Sequence, residues 1–130
     1  MILLPATTVY AALLALLFVG LSVRVIRLRR REGVALGGGE REPLTRAVRA
    51  HGNFAEYVPL ALLLVAMVEL SRPAAWIPHG FGLLLIAGRV LHAVGISRTP
   101  ERFVFRTVGM AMTFGVLAGA AVLLLAVRVM

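Results

Sequence analysis

The sequence has no cysteine and no lysine, and it carries few charged side chains of any kind. Without cysteine, disulfides, thiolate metal sites and a protein-borne cysteine nucleophile are excluded. The three histidines, 51, 79 and 92, are dispersed, and no His–Glu spacing matches a ligand set, so no metal site is expected. Charged residues make up 15% of the 130 and hydrophobic ones 60%. A soluble domain averages about 25% charged, so this chain has too little polar surface to cover a globular core in water.

What the chain has instead is apolar length. Its hydrophobic residues fall into four runs, each near the ~20 residues that cross a ~30 Å hydrocarbon layer. The expected fold is all-α: one domain over residues 1–130, a four-helix transmembrane bundle. Helix 1 is predicted from about Leu3 to Arg27. It lacks a positive segment before it and is followed by basic residues, which predicts a retained helix and not a signal peptide. Gly37, Gly38 and Gly39 then form a flexible turn; no Lys-Ser or Lys-Thr pair follows to make a phosphate cradle. Helix 2 is predicted from Pro43, with Thr45 as a possible cap, to Leu70. Helix 3 should cover His79 to Ser97, after a turn bracketed by Pro73 and Pro78, and helix 4 Phe103 to Val127.

The formal charge of +8 comes from fourteen arginines. In a soluble protein such a balance points to nucleic acid. Here Arg24, Arg27, Arg29, Arg30, Arg31, Arg41 and Arg46 flank the first connection and Arg98, Arg102 and Arg106 the third. The opposite side holds only Arg72 and Arg128. The partner implied is therefore an anionic lipid surface, with no nucleic acid. The positive-inside rule puts both basic loops in the cytoplasm and both termini outside it.

Polar residues inside the apolar runs are the candidates for chemistry, because a charge at membrane depth costs a few kcal/mol and needs a partner or a purpose. On helix 2, Arg46, Arg49, Asn53, Glu56 and Tyr57 recur at spacings of three and four, forming one stripe. On helix 3, Arg89 and His92 share a face. Counting in from the hairpin turn, Glu56 lies about 22 Å deep and His92 about 20 Å, with Arg89 one turn shallower. Glu56 is therefore expected to meet Arg89 or His92. Such a pair is explained equally by a structural ion pair that holds two helices in register. Arg46 is expected to snorkel to the headgroups, Glu69 to lie at the interface, and His51 to point off the stripe toward headgroups. The Gly115-to-Gly119 and Ala111-to-Gly115 spacings suit close helix packing.

The segment Arg49 to Pro59, R-A-H-G-N-F-A-E-Y-V-P, resembles the signature of the MAPEG family, the membrane-associated proteins of eicosanoid and glutathione metabolism. Arg89 to His92, R-V-L-H, is similar to the family's third helix. Pro100, Glu101 and Arg102, with Val108 and Gly109, are similar to the start of its fourth. The resemblance covers nearly the whole chain and is greatest to the small bacterial inner-membrane branch. It implies a homotrimer in that membrane, with glutathione as cosubstrate held between subunits near the cytoplasmic face. Arg49, Asn53, Glu56 and Tyr57 match positions that hold the tripeptide, with Arg89 and His92 supporting the site from helix 3. Arg102 matches the catalytic arginine that stabilises the thiolate. The implied activity is a glutathione-dependent transferase or peroxidase acting on hydrophobic electrophiles.

One position departs from the enzymes of the family. Where they carry a tyrosine about one turn after the helix 3 histidine, this chain has Ile96, and its only tyrosines are Tyr10 and Tyr57. A non-catalytic lipid-binding or scaffold member of the family is the alternative. A small multidrug exporter fits the size, but it requires a carboxylate within helix 1, which has none.

Overall fold

The computed structural model describes residues 4–37 and 41–129. These form four helices, α1 (Pro5–Glu32), α2 (Glu42–Leu70), α3 (Trp76–Ser97) and α4 (Phe103–Val129). All four are long and apolar enough to cross a membrane, and no strand occurs among the described residues. The expected start of helix 1 at Leu3, and Gly38 and Gly39 of the glycine turn, lie outside the described residues.

The helix ends follow local chemistry. α1 continues past Arg27 to Glu32 because Arg29, Arg30 and Arg31 sit in its last turn, where cations oppose the negative end of the helix dipole. It stops at Gly33, whose φ of 67° is the left-handed conformation that glycine adopts without strain. α2 starts earlier than Thr45: Arg41 is the residue before its first turn, Glu42 and Pro43 open it, and Thr45 lies inside it. α3 starts at Trp76 rather than His79, and Pro78 is tolerated because the first turn needs no amide donor from it.

α2 and α3 are the central pair, with α1 and α4 on opposite flanks that do not touch each other. The α3–α4 contact is the most extensive, and glycine makes it possible. A Cβ on Gly109 would lie 2.5 Å from the Gly88 carbonyl oxygen and 2.6 Å from the His92 backbone nitrogen. Of the spacing expected from the sequence, Gly115 meets only Leu84, at an ordinary 3.9 Å, while a Cβ on Gly119 would lie 3.1 Å from the Phe81 ring; the backbone-to-backbone approach is at Gly109.

α1 is tied down at both ends. The carboxylate of Glu69 accepts the backbone N–H groups of Ala6 and Thr7, each at 2.8 Å. Glu69 is therefore a cap for the neighbouring helix, satisfying two of its free donors and opposing its dipole, and not a group that merely lies at the interface. At the other end Arg24 donates to the Ser97 hydroxyl. That contact, with the ion pair between Arg46 and Glu101, puts both basic loops at the same end of the bundle. The most apolar membrane-length stretches of α2 and α3 are also less apolar than those of α1 and α4.

Candidate functional site

The stripe on α2 divides into groups with different neighbours. Arg49 and Glu56 face outward, their side chains 61% and 54% exposed, and approach each other only to 4.0 Å. Glu56 is the central residue of α2, a helix long and apolar enough to cross a membrane. Tyr57 is partly covered by an edge-to-face contact with Phe114 of α4, ring centroids 5.5 Å apart. Beside them, Phe103, Arg106, Thr107, Met110, Ala111 and Phe114 line a groove of about 490 Å³ on α4.

Glu56 meets neither Arg89 nor His92. Arg89 is 1% exposed and His92 2%, and both stand behind α2. The Arg89 guanidinium donates through Nη2 to Asn53 Oδ1 at 2.6 Å and to His92 Nδ1 at 3.1 Å. Through Nη1 it reaches Thr113 Oγ1 at 3.3 Å and Met110 Sδ at 3.7 Å. Its charge also lies 5.9 Å from the Phe54 ring centroid. Among the described residues it forms no ion pair, and its Nε has no hydrogen-bond partner. The depth count fell short by about a turn, because α3 starts at Trp76 and not at His79, which carries Arg89 and His92 deeper to the level of Asn53; the angle around α2 also turns Glu56 outward. Arginine has only donors, so the His92 Nδ1 facing it is the acceptor, and the ring proton sits on Nε2.

Arg46 does not snorkel freely. It bonds Glu42 one turn back, the Ile96 carbonyl at 3.3 Å and Glu101 at 3.3 Å. Arg106 closes on the same carboxylate at 2.7 Å. The hydrogen bond from Arg106, then that from Arg46, holds the Glu101 carboxyl below the usual carboxylate range. Glu101 thus anchors the connection that carries Arg102. The Arg102 side chain is exposed and packs 5.6 Å over Phe105, with its backbone N–H held by the Gly95 carbonyl at 3.2 Å. No hydrogen bond or ion pair joins Arg102 to the α2 stripe among the described residues.

The histidines go to separate places. His51 stacks on Phe18, centroids 4.7 Å apart, and lies 3.1 Å from the Ser22 hydroxyl. It fastens α1 to α2 and does not point to headgroups. His79 meets the Tyr10 hydroxyl at 3.3 Å. Ile96, at the position of the departure, is 7% exposed and part of the apolar core. Thr113 escaped the sequence reading; a threonine in an apolar helix gives no signal until its neighbour across the bundle is known.

Residues 7–126 match the MAPEG family. The chain belongs to that family. It is 38% identical over 108 residues to inner membrane protein YecN of Escherichia coli strain K12, covering 83% of this chain and 81% of that one. The protein of the same name from Escherichia coli O6:H1 strain CFT073 matches to the same extent. No solved structure matches. Four membrane-spanning helices and an inner-membrane relative make this a multi-pass inner-membrane MAPEG protein.

Proposed function

We propose that this MAPEG protein binds glutathione on the exposed stripe of α2 and either joins the whole tripeptide through its sulfur to a hydrophobic electrophile that enters from the bilayer, or reduces a hydroperoxide to the alcohol and water as two glutathiones become the disulfide. The observation that carries this reading is the outward-facing pair Arg49 and Glu56, with each other as their only described ion partner, at 4.0 Å. Left against lipid, the Glu56 carboxylate would cost a few kcal/mol on insertion scales, and Arg49, about two turns nearer the basic end, less. Glutathione offers matching groups. Its carboxylates suit the bidentate fork of Arg49, its ammonium suits Glu56, and Asn53 and Tyr57 add neutral hydrogen bonds. A second and third copy of the chain would complete the cover, as the family resemblance implies.

Arg102 is the residue for the chemistry. A thiol of pKa ~8.5 is mostly protonated at neutral pH, and a guanidinium that lowers it by about two units supplies ~2.7 kcal/mol. The thiolate then attacks the electrophilic centre, and the apolar groove on α4 beside Tyr57 suits the electrophile's hydrocarbon. A non-catalytic lipid-binding or scaffold role is the second reading. Ile96 favours it, because this buried side chain brings no hydroxyl to the site.

Isothermal titration of detergent-purified protein with glutathione tests the first reading. Millimolar or tighter binding, thiolate absorbance near neutral pH and a trimer in native mass spectra are expected. A monomer, or no binding, would leave the scaffold reading.

A further inference from the structure

We propose that Thr113 and Arg89 act as positioning residues that lock the Asn53 carboxamide with its N–H₂ group facing the exposed stripe. The site then offers a donor at that point, and its ligand must present an oxygen there: a carboxylate or a peptide carbonyl. The ligand half of this inference rests on the reading of the α2 stripe given above; the locking half stands on geometry alone.

The geometry runs from α4 through α3 to α2. The Thr113 hydroxyl is fully buried and donates to the Gly109 carbonyl one turn back, at 2.9 Å. Its proton is thereby committed, and its lone pairs are free to accept from Arg89 Nη1 at 3.3 Å. His92 Nδ1 accepts from the other terminal nitrogen at 3.1 Å, so the guanidinium is held on both sides. That second nitrogen, Nη2, is the one 2.6 Å from Asn53. An arginine only donates, so the atom facing it must be Oδ1, and a flipped amide would set donor against donor at a buried charge. Nδ2 is therefore the end turned away from Arg89. With no carboxylate competing for this guanidinium among the described residues, the charge-assisted bond to Oδ1 falls to Asn53.

The sequence supplies its own probe. Asn53 is the sole asparagine and there is no glutamine, so uniformly ¹⁵N-labelled protein in nanodiscs has one side-chain carboxamide pair. In Thr113→Val that pair is expected to shift, with its order parameter falling toward the flexible range below about 0.6. Thr113→Ser should restore both. Glutathione affinity should fall about tenfold in the valine variant and recover in the serine one, the size of one hydrogen bond to a charged group. Asn53→Asp is the complementary change. It gives Arg89 a carboxylate, so thermal stability holds or rises, while glutathione binding weakens at least about tenfold as a donor becomes a repelling oxygen. An unmoved carboxamide pair in Thr113→Val overturns the locking, and wild-type affinity in Asn53→Asp overturns the donor. If wild-type protein binds no glutathione but the pair still moves with valine and returns with serine, the function reading fails and the positioning stands.

Discussion

The guanidinium of Arg46 in α2 lies 3.3 Å from the carboxylate of Glu101, which places an α2 side chain in control of the connection bearing Arg102. Because the Glu101 carboxyl is held below its ordinary value, its ion pairs stabilise the folded protein above that value. The contribution is lost as pH falls through the lowered one. Glu101→Gln should therefore reduce the melting temperature near neutral pH, and the gap to wild type should close on acidification below about pH 4. A gap that stays constant with pH would show that Glu101 stabilises by packing alone.

Binding and chemistry should separate by residue. Arg49→Ala is expected to lose about 1.5–3 kcal/mol of glutathione affinity, the range for a hydrogen bond to a charged group. Arg102→Ala should leave affinity largely intact while removing the thiolate absorbance near neutral pH and lowering turnover. Equal loss of affinity in both variants would place Arg102 among the binding groups.

The positive-inside rule assigns to the cytoplasm the end of the bundle that the two basic loops share, an expectation open to labelling. The absence of native cysteine makes labelling direct. Single cysteines at positions 30 and 98 should resist a membrane-impermeant reagent applied from the periplasm, and one at position 72 should react. Labelling at 30 from that side would reverse the assigned orientation.

Glu69 should matter to the fold and not to the ligand. Glu69→Ala removes the acceptor of the Ala6 and Thr7 amides, and a loss of about 1–2 kcal/mol in equilibrium unfolding is expected. Glutathione affinity should not change.

Gly88→Ala tests the α3–α4 contact. The added methyl would meet the Gly109 carbonyl oxygen at 2.9 Å, so stability should fall by about 1–3 kcal/mol. Gly115→Ala, which meets only Leu84, should be close to neutral.

Four apolar runs, the polar stripe on α2 and the R-V-L-H face on α3 were all legible in the sequence, because period and hydropathy encode them directly. The partner of Arg89 was not. A count of residues along two antiparallel helices gives depth only as well as the helix starts are placed, and α3 begins three residues before His79. The rotation of each helix about its axis depends on packing, which a count does not register. The two together favoured the carboxylate of Glu56 over the amide of Asn53, nearly a turn deeper. The capping role of Glu69 was not legible for a related reason. Its role depends on where the first turn of α1 arrives, and nothing local to α2 records that.

The most apolar membrane-length stretches of the two central helices are less apolar than those of α1 and α4. α1 and α4 can each leave the insertion machinery for lipid unaided. α2 carries Arg49 and Glu56, and α3 carries Arg89 and His92, so each meets a penalty that its own apolar residues must offset. The Arg89–Asn53 bond joins these two helices roughly 20–25 Å from the short turn that connects them between Leu70 and Trp76. Formed while the hairpin is still sheltered by the translocon, it would let the pair enter the bilayer together with one buried charge already solvated by protein. On that route the α2–α3 hairpin would enter as one unit, with Thr113 of α4 packing onto Arg89 afterwards.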